Sequence, residues 1–446
     1  MNNLFKTPRN IAFLLFLIAL LVRLSILLFF DHNTIAPDST SYHALAVNIA
    51  KGNGMSKQKQ EPYEKWYFRE PGYPYFLAGI YACVNIFHDI NFIDRDVYDS
   101  KSGKLNKVYP EIIAAKIVQI ILDSLGIVIL FLILLKVSGF KIAFLTAMLT
   151  ALYFNLAFHS IYIMRESLTM FMLILLNWLF IKLFFTGKDK LFYLITIGLT
   201  IGILILVFQA HVILLPVFFV LMLLYYLNFR KALYKSIIVA LFSGLMVLPH
   251  LITVYRLYPD IRIIKTFGCS FTYELRAYTG AVFRGTYYDV IPKDHTMHEW
   301  GRNSKEQFDK SFSGYYRSKT DSLNALNSES IISKRKIKNL FKSIHKSFFL
   351  TKIGQKSGWG LLNKYGYIIA IPLVIIPALI GVLGLLGLIV YWKKYLIFFF
   401  PFITYLLLFY ILGDEYRRMI ILQPYLIFFG LLFINRIIQK FKLKII

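Results

Sequence analysis

This chain predicts an all-α polytopic membrane protein of about ten transmembrane helices, and three observations lead there. Hydrophobic residues fill 57% of the 446 positions and charged residues 17%, against roughly 45–50% apolar content in soluble domains. The mean hydropathy is +0.60. Apolar runs of about 20 residues, enough to cross a hydrocarbon core as a helix, recur along most of the sequence. They lack the alternation of barrel strands, and a helix satisfies its own backbone polar groups in lipid.

Taken in order, the expected spans are 11–30, 112–135, 142–160, 166–185, 191–209, 212–228, 236–254, 366–391, 395–412 and 419–435. The first is too long for a cleaved leader and has no small-residue cleavage site. With the N-terminus inside, every short inner loop is basic: Lys6 and Arg9, Lys136 and Lys141, Lys182 with Lys188 and Lys190, Arg230 with Lys231 and Lys235, Lys393 and Lys394, and a basic C-terminus. This is the positive-inside pattern. Tyr73 to Phe87 is apolar but short and opened by Pro74. Counting it as a span would move the later basic loops outside, so it is expected to lie in the outer interface. Both termini are then cytoplasmic.

Two polar segments share the outer side, 31–111 and 255–365. The domain expectation is therefore an N-terminal transmembrane module, 1–254, with its large first loop, an outer segment, 255–365, and C-terminal helices, 366–446. The first loop should form an amphipathic helix over Ser39 to Lys51, with Tyr42, Leu45, Ala46 and Ile49 on one face. Cys83 and Cys269 both fall outside, where a disulfide is allowed but not implied. The net charge of +26 is accounted for by loops facing anionic lipid headgroups, with the excess in 255–365 able to meet lipid phosphate or an anionic substrate. No nucleic-acid-binding motif accompanies it.

The residues that can carry chemistry collect on the outer side. Asp38, in Pro37-Asp38-Ser39-Thr40-Ser41-Tyr42, stands where a helix cap would stand and where a general base at the membrane surface would also stand. Glu166 opens the fourth span; it suits a helix N-terminus, and paired with Asp38 it can orient an acceptor hydroxyl or hold a divalent cation. No cluster has metal-ligand spacing. Arg69, His211, Arg256, Arg417 and Arg418 are outward cationic or potentially cationic positions, suited to phosphate and also to interfacial anchoring. Tyr42, Trp66 and Tyr73 can stack on sugar faces or anchor at the interface. Arg23 and Asp123 fall inside the first and second spans, about 10 and 17 Å from the outer ends at 1.5 Å per residue. Charges at that depth should pair or line a cavity, and a structural Arg23–Asp123 pair is expected.

With these residues in place, the sequence resembles the GT-C superfamily of membrane glycosyltransferases, specifically the bacterial relatives of protein O-mannosyltransferases and of lipid A aminoarabinose transferase. The resemblance runs through Pro37-Asp38-Ser39, Tyr42, Ala46, Asn48-Ile49-Ala50, Gly52, Gly54, Arg69, Pro71-Gly72-Tyr73-Pro74 and Phe76-Leu77-Ala78, then weakly through Ala115 to Gln119 and Glu166-Ser167-Leu168. It implies a helical bundle whose first outer loop covers a cavity open to the outer leaflet. It also implies transfer of a sugar from a polyprenyl-phosphate donor to a glycan, lipid or protein acceptor, with Asp38 as the catalytic carboxylate. Three departures stand out. Gln209-Ala210-His211 replaces the Arg-Pro of many relatives, Glu415-Tyr416-Arg417-Arg418 follows the usual Arg-Tyr-Arg only loosely, and Ser39 follows Asp38 where protein mannosyltransferases have an acid. The last lowers protein O-mannosylation relative to glycan or lipid acceptors. A lipid-linked oligosaccharide polymerase or ligase, and a lipid-linked glycan flippase, are the alternative readings.

Overall fold

The computed structural model describes residues 7–29, 39–63, 69–93, 98–99, 104–105, 107–185, 190–257, 376–398, 400–401, 403–405 and 420–442. Asp38, Trp66, Cys269, Arg417, Arg418 and nearly all of the 255–365 segment lie outside the described residues. Regular structure among the described residues is helical apart from a two-residue antiparallel pair, β1 (Tyr98–Asp99) with β2 (Lys104–Leu105). Among the described residues six helices are long and apolar enough to cross a membrane, and Phe140–Leu152, Leu191–Val207, Leu379–Tyr391 and Leu396–Tyr405 are shorter apolar helices.

Helix α1 (Pro8–Phe29) begins on Thr7, whose hydroxyl accepts from the Asn10 amide at 3.3 Å. Pro8 takes the first helical position, where no amide donor is required. A second short helix, α2 (Ser39–Ala50), and a third, α3 (Gly72–Asn85), follow before the long α4 (Pro110–Ser138). Helix α3 is 14 residues long, about 21 Å at 1.5 Å per residue, short of the roughly 30 Å hydrocarbon thickness. It packs on α2 and α4.

The expected 142–160 span is not one helix. Helix α5 (Phe140–Leu152) stops at Tyr153, whose backbone is extended (φ −68°, ψ 104°), and the six-residue α6 (Phe154–His159) follows. The last carbonyls of a helix have no partner within it, and the break leaves that of Ala151 to a side chain from α1. Arg23 Nη1 donates to it at 3.3 Å and to Ala19 O at 3.2 Å. Arg23 Nε lies 3.8 Å from Asp123 Oδ2 on α4, with the two side chains 0% and 1% exposed. The predicted intramembrane pair is therefore present, and it fastens α1 to α4 and α5 together.

Helix α7 (Arg165–Phe185) is followed by α8 (Lys190–Val207), a 3₁₀ turn over Gln209–Ile213, α9 (Leu214–Tyr226) and α10 (Phe229–Leu257). Asn228 caps α10, its Oδ1 accepting from the Lys231 amide at 3.0 Å. Small residues set the α8–α10 approach: a Cβ on Gly202 would stand 2.6 Å from Met246 Cβ, and Ser243 Oγ donates to Gly198 O at 2.8 Å. In lipid such close packing is what draws helices together. The C-terminal helices α11 (Ile376–Tyr391) and α12 (Gln423–Lys442) pack on each other. The C-terminal part reaches the N-terminal bundle through polar contacts from α12 and from the short Leu396–Tyr405 helix. Asn177 Nδ2 donates to Tyr425 Oη at 2.6 Å, and His211 Nε2 is 3.0 Å from Tyr405 Oη.

Helix α2 is buried more widely than one amphipathic face. Ser39, His43, Val47 and Asn48 are buried along with Tyr42, Leu45 and Ala46, because α3 covers one side and the turn after α2 covers another. Asn48 Nδ2 donates to Ser56 O at 2.7 Å and Gln58 O at 2.9 Å. Gly52 and Gly54 make that turn at φ +84° and +78°, a region that L side chains avoid. His43 joins α2 to α3: Nδ1 lies 3.0 Å from Tyr81 Oη, and Nε2 lies 3.0 Å from Asn91 O. The carbonyl can only accept, so Nε2 carries the proton and Nδ1 accepts from the tyrosine.

Two tests follow from these contacts. Arg23→Ala or Asp123→Ala alone leaves a buried charge without its partner and should cost about 3–5 kcal/mol. The double Arg23→Met/Asp123→Leu change should be tolerated better than either single in thermal unfolding of the detergent-solubilised protein. A double variant less stable than both singles would show that the two charges do not act as a pair. The second test concerns pH. Burial pushes the His43 imidazole down from 6.5 to about 4, so between those values the unfolded state binds more protons than the folded one. Stability contributed by neutral His43 is complete above about pH 6.5 and is lost as pH falls toward about 4, at no more than about 1.4 kcal/mol per pH unit. His43→Gln should flatten this part of the unfolding profile.

Candidate functional site

The N-terminus of α7 is held by three other helices. Gln119 on α4 donates from Nε2 to Ser160 O at 3.1 Å and to Tyr162 O at 2.6 Å. Its Oε1 accepts from Tyr73 Oη on α3 at 2.5 Å. Ser39 Oγ, at the start of α2, donates to Ile163 O at 2.9 Å. Three carbonyls of the 160–163 stretch are thereby fixed from α2 and α4, and the two residues that open α7 inherit that placement. They are Arg165 and Glu166.

A cation in the first turn of a helix faces the positive end of its dipole, so Arg165 needs compensation. Glu70 supplies it: Glu70 Oε2 accepts from Arg165 Nη1 at 2.8 Å, with the side chains 3% and 12% exposed. The guanidinium also lies over the Phe208 ring, 4.0 Å from its centroid. Gly72 makes this convergence possible, because a Cβ there would stand 2.7 Å from the backbone of Leu206 and Val207. The start of α3 thus abuts the end of α8.

Next to this pair is an aromatic corner. Tyr42 and Tyr73 meet edge to face, 4.9 Å between centroids, and Arg69 Cζ stands 5.3 Å from the Tyr42 ring centre. Burial raises the Tyr42 phenol above its ordinary value, with Arg165 and Arg69 opposing and Glu70 and Glu166 reinforcing the shift. Two acids and two bases therefore act on one buried hydroxyl. Burial likewise raises Tyr73 well above the ordinary value, helped by Tyr81, Tyr42 and Glu166. Glu166 is 7% exposed, and its buried Oε2 has no hydrogen-bond partner among the described residues.

Of the residues singled out from sequence, Tyr42, Arg69, Tyr73 and Glu166 are brought together. His211 is not directed to them by its hydrogen bonds. It is fully buried, with Nδ1 2.9 Å from Leu204 O and Nε2 facing Tyr405. Arg256 is exposed near the C-terminal end of α10. Glu70, Gln119 and Arg165 were missed, although an arginine ahead of a glutamate at a helix start was a readable signal of a required counter-charge. Among the described residues no three His, Cys, Asp or Glu side chains are grouped to hold a metal ion.

No protein-family model matches the chain, and no curated protein matches it. Solved structures do. The archaeal oligosaccharyltransferase AglB from Archaeoglobus fulgidus, in complex with an inhibitory peptide and a dolichol-phosphate, superposes with a TM-score of 0.51 at 14% identity, over 97% of this chain and 51% of that one. The Archaeoglobus fulgidus oligosaccharyltransferase in complex with Zn and sulfate gives a TM-score of 0.50 at 14% identity, over 96% and 49%. ArnT from Cupriavidus metallidurans, bound to undecaprenyl phosphate, gives 0.41 at 12% identity, over 95% and 77%. The chain spans about half the length of the oligosaccharyltransferases it matches. Its fold is similar to the part of the Archaeoglobus fulgidus oligosaccharyltransferase that it covers.

Proposed function

We propose that this protein is an integral membrane glycosyltransferase that moves a sugar from a polyprenyl-phosphate donor to a glycan, lipid or protein acceptor at the outer face of the membrane. The observation that carries this reading is the buried meeting of Tyr42, Tyr73, Arg69, Glu70, Arg165 and Glu166 at the foot of α7. The fold shared with oligosaccharyltransferases supports it. The basic inner loops support placing this end of the bundle outside and both termini in the cytoplasm. The same reading keeps about ten spans and the three-part division at 254 and 365.

Asp38 is the general base in this scheme. It lies outside the described residues, but it is bonded to Ser39, whose hydroxyl is tied to Ile163 three residues before Glu166. In the inverting step the acceptor hydroxyl gives its proton to Asp38 as its oxygen bonds to the anomeric carbon. The bond from that carbon to the phosphate oxygen breaks, and the lipid phosphate leaves with the electron pair. Arginine groups stabilise the charge that develops on it. Glu166 orients the acceptor, and its buried oxygen is a hard ligand that suits a divalent cation. The residues assigned to substrate are Tyr42, Arg69, Tyr73, Arg256, Arg417 and Arg418.

Mass spectrometry of carrier-linked sugars and surface glycans, in cells lacking the protein, tests the reading directly. One monosaccharide carrier should accumulate while one glycan loses a sugar, and the wild-type gene should reverse both. Asp38→Asn keeps capping ability but removes the base, so transfer should fall by about 10²–10⁴-fold. Glu166→Gln keeps shape and should fall by at least about tenfold. Wild-type rates from a folded Asp38→Asn protein would reject the assignment of the base, and unchanged carrier and glycan pools would reject the transferase.

A further inference from the structure

Resting on the carrier-lipid reading above, we propose that Arg165 is the phosphate-binding residue of this site and that Glu70 is its positioning residue. The departing lipid phosphate needs a cation in a shielded place, and the described candidates differ in kind. His211 has Leu204 O and Tyr405 Oη at its two nitrogens, and Arg256 is exposed beyond the membrane-spanning part of α10. Arg165 combines 12% side-chain exposure with a fixed orientation. One face lies on Phe208 at 4.0 Å, and Nη1 is held by Glu70 at 2.8 Å.

That geometry suits a phosphate. A guanidinium is a planar fork of five donors, and it matches phosphate oxygens two at a time. Ordering so long a side chain normally opposes binding, and here Glu70 and Phe208 have already ordered it. Tyr42 feels both this guanidinium and Glu166, so a phosphate on Arg165 would lie beside the tyrosine that also adjoins the Glu166 carboxylate. Arg69 over the Tyr42 ring adds a second positive charge beside it. Glu70 acts through Arg165 and need not touch the lipid.

Binding of farnesyl phosphate and of farnesol to the purified full-length protein in nanodiscs tests this without an acceptor or turnover. Wild type should bind the phosphate at least tenfold more tightly than the alcohol. Arg165→Gln alone strands Glu70, so the informative variant is Arg165→Gln with Glu70→Gln, which removes both charges and keeps both shapes. It should lose the phosphate preference and keep farnesol binding. Arg165→Lys should retain part of the preference, and Glu70→Asp more of it than Glu70→Gln. A double variant that still prefers the phosphate tenfold would overturn the inference and leave the carrier-lipid reading standing. Parallel loss of farnesol binding would mark the pair as a structural tie and overturn it as well. Equal binding of the two probes by wild type would overturn the carrier-lipid reading itself.

Discussion

An ion pair almost withdrawn from water, Glu70 with Arg165, is the tie on which the polar end of this molecule depends. Removing two charges from solvent costs several kcal/mol per ion unless geometry and hydrogen bonding restore it. The protein meets that condition by convergence. Gly72 lets α3 touch the α8 backbone, and Phe208 at the end of α8 receives the guanidinium. Gln119 and Ser39 fix the loop from which Arg165 springs. Each contact limits where the next can be, and Tyr42, Tyr73 and Glu166 are placed as a result.

The same economy of polar groups operates in the apolar body. Arg23 serves an ion pair and two carbonyls, one of them freed by the interruption at Tyr153. Ser and Thr hydroxyls within the helices return to carbonyls one turn back, as Thr146 to Ile142 and Thr150 to Thr146, both at 2.7 Å. Asn177 bonds α7 to α12 through Tyr425. In lipid the alternative for each group is no partner at all. Polar side chains in this bundle therefore record which helices must touch.

The parts legible in the sequence were those fixed by a local or an obligatory rule. The start of α2 at Ser39 followed from the capping-type run before it, and the Arg23–Asp123 pair from the cost of leaving either charge alone in hydrocarbon. Tyr42 and Tyr73 were picked out for sugar faces or anchoring, Arg69 for phosphate and Glu166 for an acceptor hydroxyl or a cation, and the four lie together. What was not legible depended on contacts far apart in sequence. The 142–160 run holds no proline or glycine, so no helix breaker announces the interruption at Tyr153. His211 looked like an outward cation because its partner, Tyr405, is 194 residues away. Glu70 and Arg165 were passed over for their neighbours Arg69 and Glu166, because hydropathy and spacing do not say which of four adjacent charges pair.

Those four charges also explain how so many ionisable groups can be gathered in so dry a place. Arg69 and Arg165 balance Glu70 and Glu166, so the set is neutral as a whole even though each member would be costly alone. The balance is not shared evenly. Glu70 is held directly by Arg165, whereas Glu166 keeps a buried oxygen with no hydrogen-bond partner among the described residues. An unsatisfied carboxylate oxygen is expensive when nothing is bound, and its cost is relieved by any donor delivered to it. In the proposed reaction the hydroxyl of an acceptor is such a donor. Neutrality therefore stabilises the fold, while the uneven pairing leaves one acceptor directed at the place where a proton donor would be drawn in.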